Sequence, residues 1–117
     1  MNNSFTGQRV FALAIDPQTS STLYEGKTGG GVFKSLFGDA SWLASNTGMA
    51  EKTVLIDPKN RSVIYASAMY SGGVYKSSEN GANWENITGN LSNMPVLSLA
   101  SDGTGIYAGT LNGVFKL

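Results

Sequence analysis

The run Gly73-Val74-Tyr75-Lys76-Ser77-Ser78-Glu79-Asn80-Gly81-Ala82-Asn83-Trp84 carries the clearest structural signal in the chain. Its first five residues occur three times. Gly31-Val32-Phe33-Lys34-Ser35 lies 42 residues earlier, and Gly113-Val114-Phe115-Lys116-Leu117 lies 40 residues later. Trp84 itself has a counterpart in Trp42, again 42 residues away. Working outward, Asp16-Pro17 returns as Asp57-Pro58 after 41 residues, and Tyr24 returns as Tyr65 and Tyr107 after 41 and 42. Several unrelated markers share one period, so the chain is an array of repeats.

Each repeat reads as strands. Leu13 and Ile15, Val54 and Ile56, and Leu97 and Leu99 alternate in the first strand of each unit, the pattern of a strand with one buried face. Asp-Pro then turns the chain, because proline cannot continue a central strand; Ser101-Asp102-Gly103 does this in the third unit. Thr22-Leu23-Tyr24, Val63-Ile64-Tyr65-Ala66 and Ile106-Tyr107-Ala108 form the second strand, the Gly-Val-Phe/Tyr-Lys segments the third, and the fourth begins at Trp42 or Trp84. Four short strands in about 42 residues make one blade of a β-propeller. The expected fold is therefore all-β, with four-stranded antiparallel blades covering about 10–48, 52–90 and 96–117 in one propeller half-domain. The third unit has three strands in this sequence, and Ser4-Phe5-Thr6-Gly7-Gln8 is a candidate strand to complete it, since it is similar to Asn86-Ile87-Thr88-Gly89-Asn90.

The segment from Ser77 to Trp84 resembles the Asp-box, or BNR, repeat: Ser-x-Asp-x-Gly-x-Thr-Trp after a Gly-Val-Tyr-Lys strand. Glu79 stands for the usual Asp and Asn83 for the usual Thr. Ser35-Leu36-Phe37-Gly38-Asp39-Ala40-Ser41-Trp42 resembles a decayed copy, with Phe37 at the acidic position. Similar repeats occur in sialidases, xyloglucanases, sortilin-type receptors and photosystem assembly factors. The resemblance implies a structural turn: Ser77, Glu79, Gly81 and Trp84, with Ser35 and Trp42 as counterparts. The hydroxyl and carboxylate bond the turn's backbone while the indole packs against the blade. Physically, short polar side chains satisfy backbone donors in tight turns.

Composition excludes several functions. The chain has 117 residues, zero net charge from 8 basic and 8 acidic residues, no cysteine and no histidine. A nucleic-acid footprint needs a basic stripe, and no run of like charge exists. Thiolate catalysis, histidine acid–base chemistry and Cys/His metal sites are removed, so no metal or cofactor is expected. No apolar run approaches the length of a membrane span. The N-terminal Met1-Asn2-Asn3-Ser4 has no signal-peptide core, and this leaves the compartment open.

Catalytic constellations are also sparse. Sialidases need three arginines around a carboxylate, and this chain has Arg9 and Arg61. Glycosidases need two carboxylates across a cleft. Asp16, Asp57 and Asp102 fall at strand turns, Glu79 and Asp39 in the Asp-box-like segments, and nothing pairs Glu25 with Glu51. Gly29-Gly30-Gly31 lacks the Lys-Ser/Thr of a phosphate loop, and Asp102-Gly103-Thr104-Gly105 lacks the further acids of a calcium loop; both are expected to be hairpin turns. Tyr70 and Ser71 lie in a loop longer than its counterpart, where a ligand contact fits as well as ordinary loop packing.

The expected function is thus a non-catalytic binding or scaffolding propeller with a carbohydrate or protein ligand. The alternatives are a lectin, and a fragment of a glycoside-processing enzyme or an engineered propeller fragment. Three blades leave two apolar faces uncovered, whereas closed propellers have about four to eight blades. A homodimer closing a six-bladed ring is the expected assembly.

Overall fold

The computed structural model describes residues 10–19, 22–27, 31–36, 43–46, 51–68, 73–91 and 94–117. They form three antiparallel sheets, each a meander of sequential strands. The first blade holds β1 (Val10–Ile15), β2 (Leu23–Lys27), β3 (Gly31–Ser35) and β4 (Leu43–Asn46). The second holds β5 (Glu51–Ile56), β6 (Ile64–Ala68), β7 (Val74–Ser77) and β8 (Glu85–Asn86). The third holds β9 (Val96–Ser101), β10 (Ile106–Thr110) and β11 (Gly113–Lys116). The fold is that of propeller blades. The candidate strand 4–8 lies outside the described residues.

One turn recurs between the first two strands of every blade. Asp16 Oδ1 accepts the backbone N–H of Gln18 at 2.8 Å and of Thr19 at 3.3 Å. Asp57 Oδ1 accepts those of Lys59 and Asn60 at the same distances. Asp102 Oδ1 accepts those of Thr104 and Gly105 at 2.8 and 2.9 Å. A short carboxylate two residues before a free amide replaces the strand ladder where the chain must reverse. The Thr104 hydroxyl and these two amides hold the Asp102 carboxyl well below its ordinary range.

The blades stack face to face, burying apolar side chains between neighbours. The seam between the first and second blades contains Tyr24, Val32, Val54, Ile64 and Ala66, with Ala14, Ile56 and Trp84 packed on its edge. The seam between the second and third contains Val74, Leu91, Val96 and Ala108 beside Val63, Tyr65 and Ile106. A short 3-10 turn, Gly89–Leu91, links these two blades, a departure from an all-strand reading. Leu91 is 2% exposed, so the turn exists to drop one more side chain into that seam.

The strand register fixes which residues each blade offers. On one face of β2, β6 and β10, Tyr24 lies opposite Lys34, Tyr65 opposite Lys76 and Tyr107 opposite Lys116. The lysine nitrogen lies over the tyrosine ring at 5.3, 6.0 and 5.9 Å from its centre. A valine completes each set: Val32, Val74 and Val114. On the opposite face, Leu13 pairs with Glu25, Val54 with Ala66 and Leu99 with Ala108. Each internal seam joins the Tyr–Lys–Val face of one blade to this second face of the next.

Candidate functional site

The most elaborate local chemistry is the turn from Ser77 to Trp84. Ser77 is fully buried, and its Oγ accepts the backbone N–H of Gly81 at 2.9 Å and of Glu79 at 3.3 Å. Ala82 N–H donates to the Glu79 carbonyl at 3.1 Å, with Asn80 (φ 57°) and Gly81 (φ 88°) between them. Two positive φ angles in succession are the mark of a type I′ turn, which the Asn-Gly pair accommodates. The Glu79 carboxylate accepts the Asn83 side-chain amide at 2.8 Å. Serine thus holds the turn's backbone, and glutamate ties its side chains together.

The same turn reaches across to the first blade. Ser45 Oγ donates to the Gly81 carbonyl at 2.8 Å. Trp84 Nε1 donates to the Ser45 carbonyl and to the Gly81 carbonyl, each at 3.2 Å. The Tyr24 hydroxyl and the Lys34 ammonium both donate to the Asn80 carbonyl, at 3.2 and 2.9 Å. Burial and, secondarily, the charge of Asp16 push the Tyr24 phenol up to about 12. Burial also lowers Lys34, with Asp16 opposing it. Arg61 adds a further tie between the blades, donating to Thr19 Oγ1 at 2.8 Å with Asp16 Oδ2 at 3.7 Å.

Three open depressions lie near these elements. One of about 220 Å³ is lined by Lys76, Ser78, Glu79, Asn83, Trp84 and Glu85. It sets Trp84 among an ammonium, two carboxylates and an amide. A second, about 320 Å³, runs between the blades past Leu36, Leu43 and Ser45, with Glu79 and Asn80 opposite. A third, about 290 Å³, is mostly apolar and lies between Ile87 and Leu91 on one side and Phe115 and Leu117 on the other.

The structure brings Ser77, Glu79, Gly81 and Trp84 together in one turn. Ser35 is buried at the corresponding end of β3. Trp42, Tyr70 and Ser71 lie outside the described residues. Glu25 is 4% exposed and lies on β2 opposite Leu13 of β1. Among the described residues no three Asp or Glu side chains gather as a metal site would require. No helix among the described residues is long and apolar enough to cross a membrane. Sequence reasoning missed Ser45, Tyr24 and Lys34 as partners of the turn. The recurrence of the Tyr and Lys positions was the available signal.

Comparison with known proteins places this geometry. No protein-family model matches the chain. A curated relative, described as a probable oligoxyloglucan-reducing end-specific xyloglucanase from Neosartorya fischeri, is 31% identical over 84 residues, covering 66% of this chain. The chain spans 10% of that relative's length. An ancestral GH74 enzyme superposes with a TM-score of 0.79 at 23% identity, over 92% of this chain and 17% of its own. The GH74 enzyme of Niastella koreensis also gives 0.79, at 24% identity, over 90% of this chain and 19% of its own. The blades are therefore β-propeller blades like those of GH74 enzymes.

Proposed function

We propose that the chain supplies blades of a glycan-binding propeller of the xyloglucanase type, and is non-catalytic in its own right. The observation that carries this reading is the 31% identity to a probable xyloglucanase over 84 residues. The turn at 77–84 belongs, on this reading, to an Asp-box-like blade.

The cleft beside Trp84 is the favoured lectin-like contact. An aromatic ring offers its face to the C–H groups of a sugar. Glu79, Glu85, Asn83 and Lys76 line the same 220 Å³ cleft and supply acceptors and donors for paired hydroxyls. The ligand class is a neutral β-glucan oligosaccharide with xylose branches.

Titration calorimetry with xyloglucan oligosaccharides, against cellohexaose as control, tests the reading. Saturable binding that Asn83→Ala and Glu85→Gln each weaken several-fold supports it, since both side chains are exposed. No heat at millimolar sugar overturns it. Release of reducing ends from xyloglucan by this chain overturns the non-catalytic part.

A further inference from the structure

Two Asn-Gly pairs occur in the chain, Asn80-Gly81 and Asn112-Gly113. Such a pair is chemically labile, because glycine has no Cβ to block approach of its backbone nitrogen to the asparagine side chain. Asn80-Gly81 forms the centre of the stapled turn, and there every polar backbone group of the pair is engaged. The Asn80 N–H donates to the Ser62 carbonyl at 3.0 Å. The Asn80 carbonyl accepts the Tyr24 hydroxyl and the Lys34 ammonium. Gly81 N–H donates to the buried Ser77 Oγ at 2.9 Å, and the Gly81 carbonyl accepts Ser45 Oγ. Asn80 itself is exposed, so water reaches its side chain.

We propose that Asn80 is a guarded modification site: the native turn preserves its amide, and opening of the turn lets it convert irreversibly to aspartate and isoaspartate. The conversion needs only water. The Gly81 nitrogen attacks Asn80 Cγ and gives up its proton; the bond from Cγ to the side-chain nitrogen breaks, and ammonia leaves with that proton. Water then opens the resulting succinimide. Attack at one carbonyl gives aspartate, and attack at the other gives isoaspartate, whose main chain runs through the former side-chain carbon.

The guard is geometric. The ring contains Gly81 N with the C, Cα, Cβ and Cγ of Asn80, so it closes only when Gly81 N eclipses Cβ about the Cα–C bond. The φ angles of 57° and 88° at the two residues mark a type I′ turn, in which ψ at the first central residue is about +30°. For an L-residue that sets the nitrogen nearly anti to Cβ, and ψ must swing through far more than a right angle. The swing takes Gly81 N away from Ser77 Oγ and turns the Asn80 carbonyl away from Tyr24 and Lys34. Those two donors draw charge from the peptide unit and favour loss of its proton, yet this activation has no outlet while the ring cannot close. Reaction therefore proceeds through the open turn, at a rate set by the fraction of molecules that are open. Isoaspartate adds one carbon to the main chain between the Ser77 and Ser45 contacts, so the turn cannot reclose in its original shape. The modification records that the first seam has opened, and it does not rest on sugar binding.

The experiment incubates the full chain in mildly alkaline buffer, native and fully unfolded in urea. Mass spectrometry of the separated peptides follows both asparagines with time. In urea, Asn80 and Asn112 are expected to convert at similar rates. In the native chain Asn80 converts on the order of a hundredfold more slowly than in urea, because opening breaks several hydrogen bonds, each worth a few-fold. Ser77→Ala removes one of these bonds and speeds native conversion at Asn80 about fivefold, with Asn112 unchanged. Lys34→Met removes an exposed donor to the same turn, acts in the same direction, and decides the matter if Ser77→Ala does not fold. Equal rates at Asn80 in the native and unfolded chain overturn the inference. So does a native rate that both variants leave unchanged, joint acceleration of Asn80 and Asn112, which reports global unfolding, or an Asn80 that stays intact in urea while Asn112 converts.

Discussion

Gly81 stands where the turn of the second blade meets the first. Its φ of 88° lies in the region that favours glycine, and a Cβ there would run into the Ser45 hydroxyl. Gly81→Ala therefore combines backbone strain with displacement of a bridging hydroxyl, at about 2–3 kcal/mol. Urea denaturation reads this as a lowered midpoint, and an unchanged midpoint would mean that the turn relaxes freely. Tyr24 makes a different prediction at the same seam. Its phenol ionises near 12 in the fold and near 10 in an unfolded chain. The folded state holds the proton more tightly, so stability is intact below pH 10 and falls between pH 10 and 12. The loss is on the order of 2–3 kcal/mol, and the phenolate can no longer donate to the Asn80 carbonyl. Tyr24→Phe should flatten that part of the alkaline unfolding profile, measured by fluorescence against the parent chain.

At the scale of elements, the stapled turn joins two blades as well as two strands. Trp84 packs on the first seam and donates its N–H to carbonyls on both sides of it. Trp84→Ala should cost about 3 kcal/mol, because the indole is only partly buried. Trp84→Phe keeps most of the packing and loses the donor, for about 1 kcal/mol. A thermal midpoint shifted equally by both would mean that the N–H carries the whole effect. The strands and the Asp turns were legible in the sequence because their signals are local: Asp16, Asp57 and Asp102 each bond amides two and three residues on. The bond from Trp84 to Ser45 spans 39 residues and was not legible. A repeat reveals what each blade contains, whereas the partner of a side chain on the next blade lies nearly a full period away and bears no mark of its own. Glu25 was equally opaque, since a carboxylate on a strand otherwise occupied by alanine at that position gives no hint of its burial.

Across the whole molecule, the period of about 42 residues announced three blades, and the described residues form three sheets. The xyloglucan test reads the cleft beside Trp84, which lies within a single blade. The uniformity of the seams has a kinetic side. Every strand pairs with its sequence neighbour, so each blade can assemble from contacts of short sequence separation and need not await the others. Stacking is where errors enter. Since one Tyr–Lys–Val face is nearly the same as the next, a half-folded chain can accept the wrong blade, from itself or from another molecule, with little energetic warning. Refolding at high concentration should then yield tangled, non-native assemblies more readily than refolding at high dilution, even though each blade in them is correctly made.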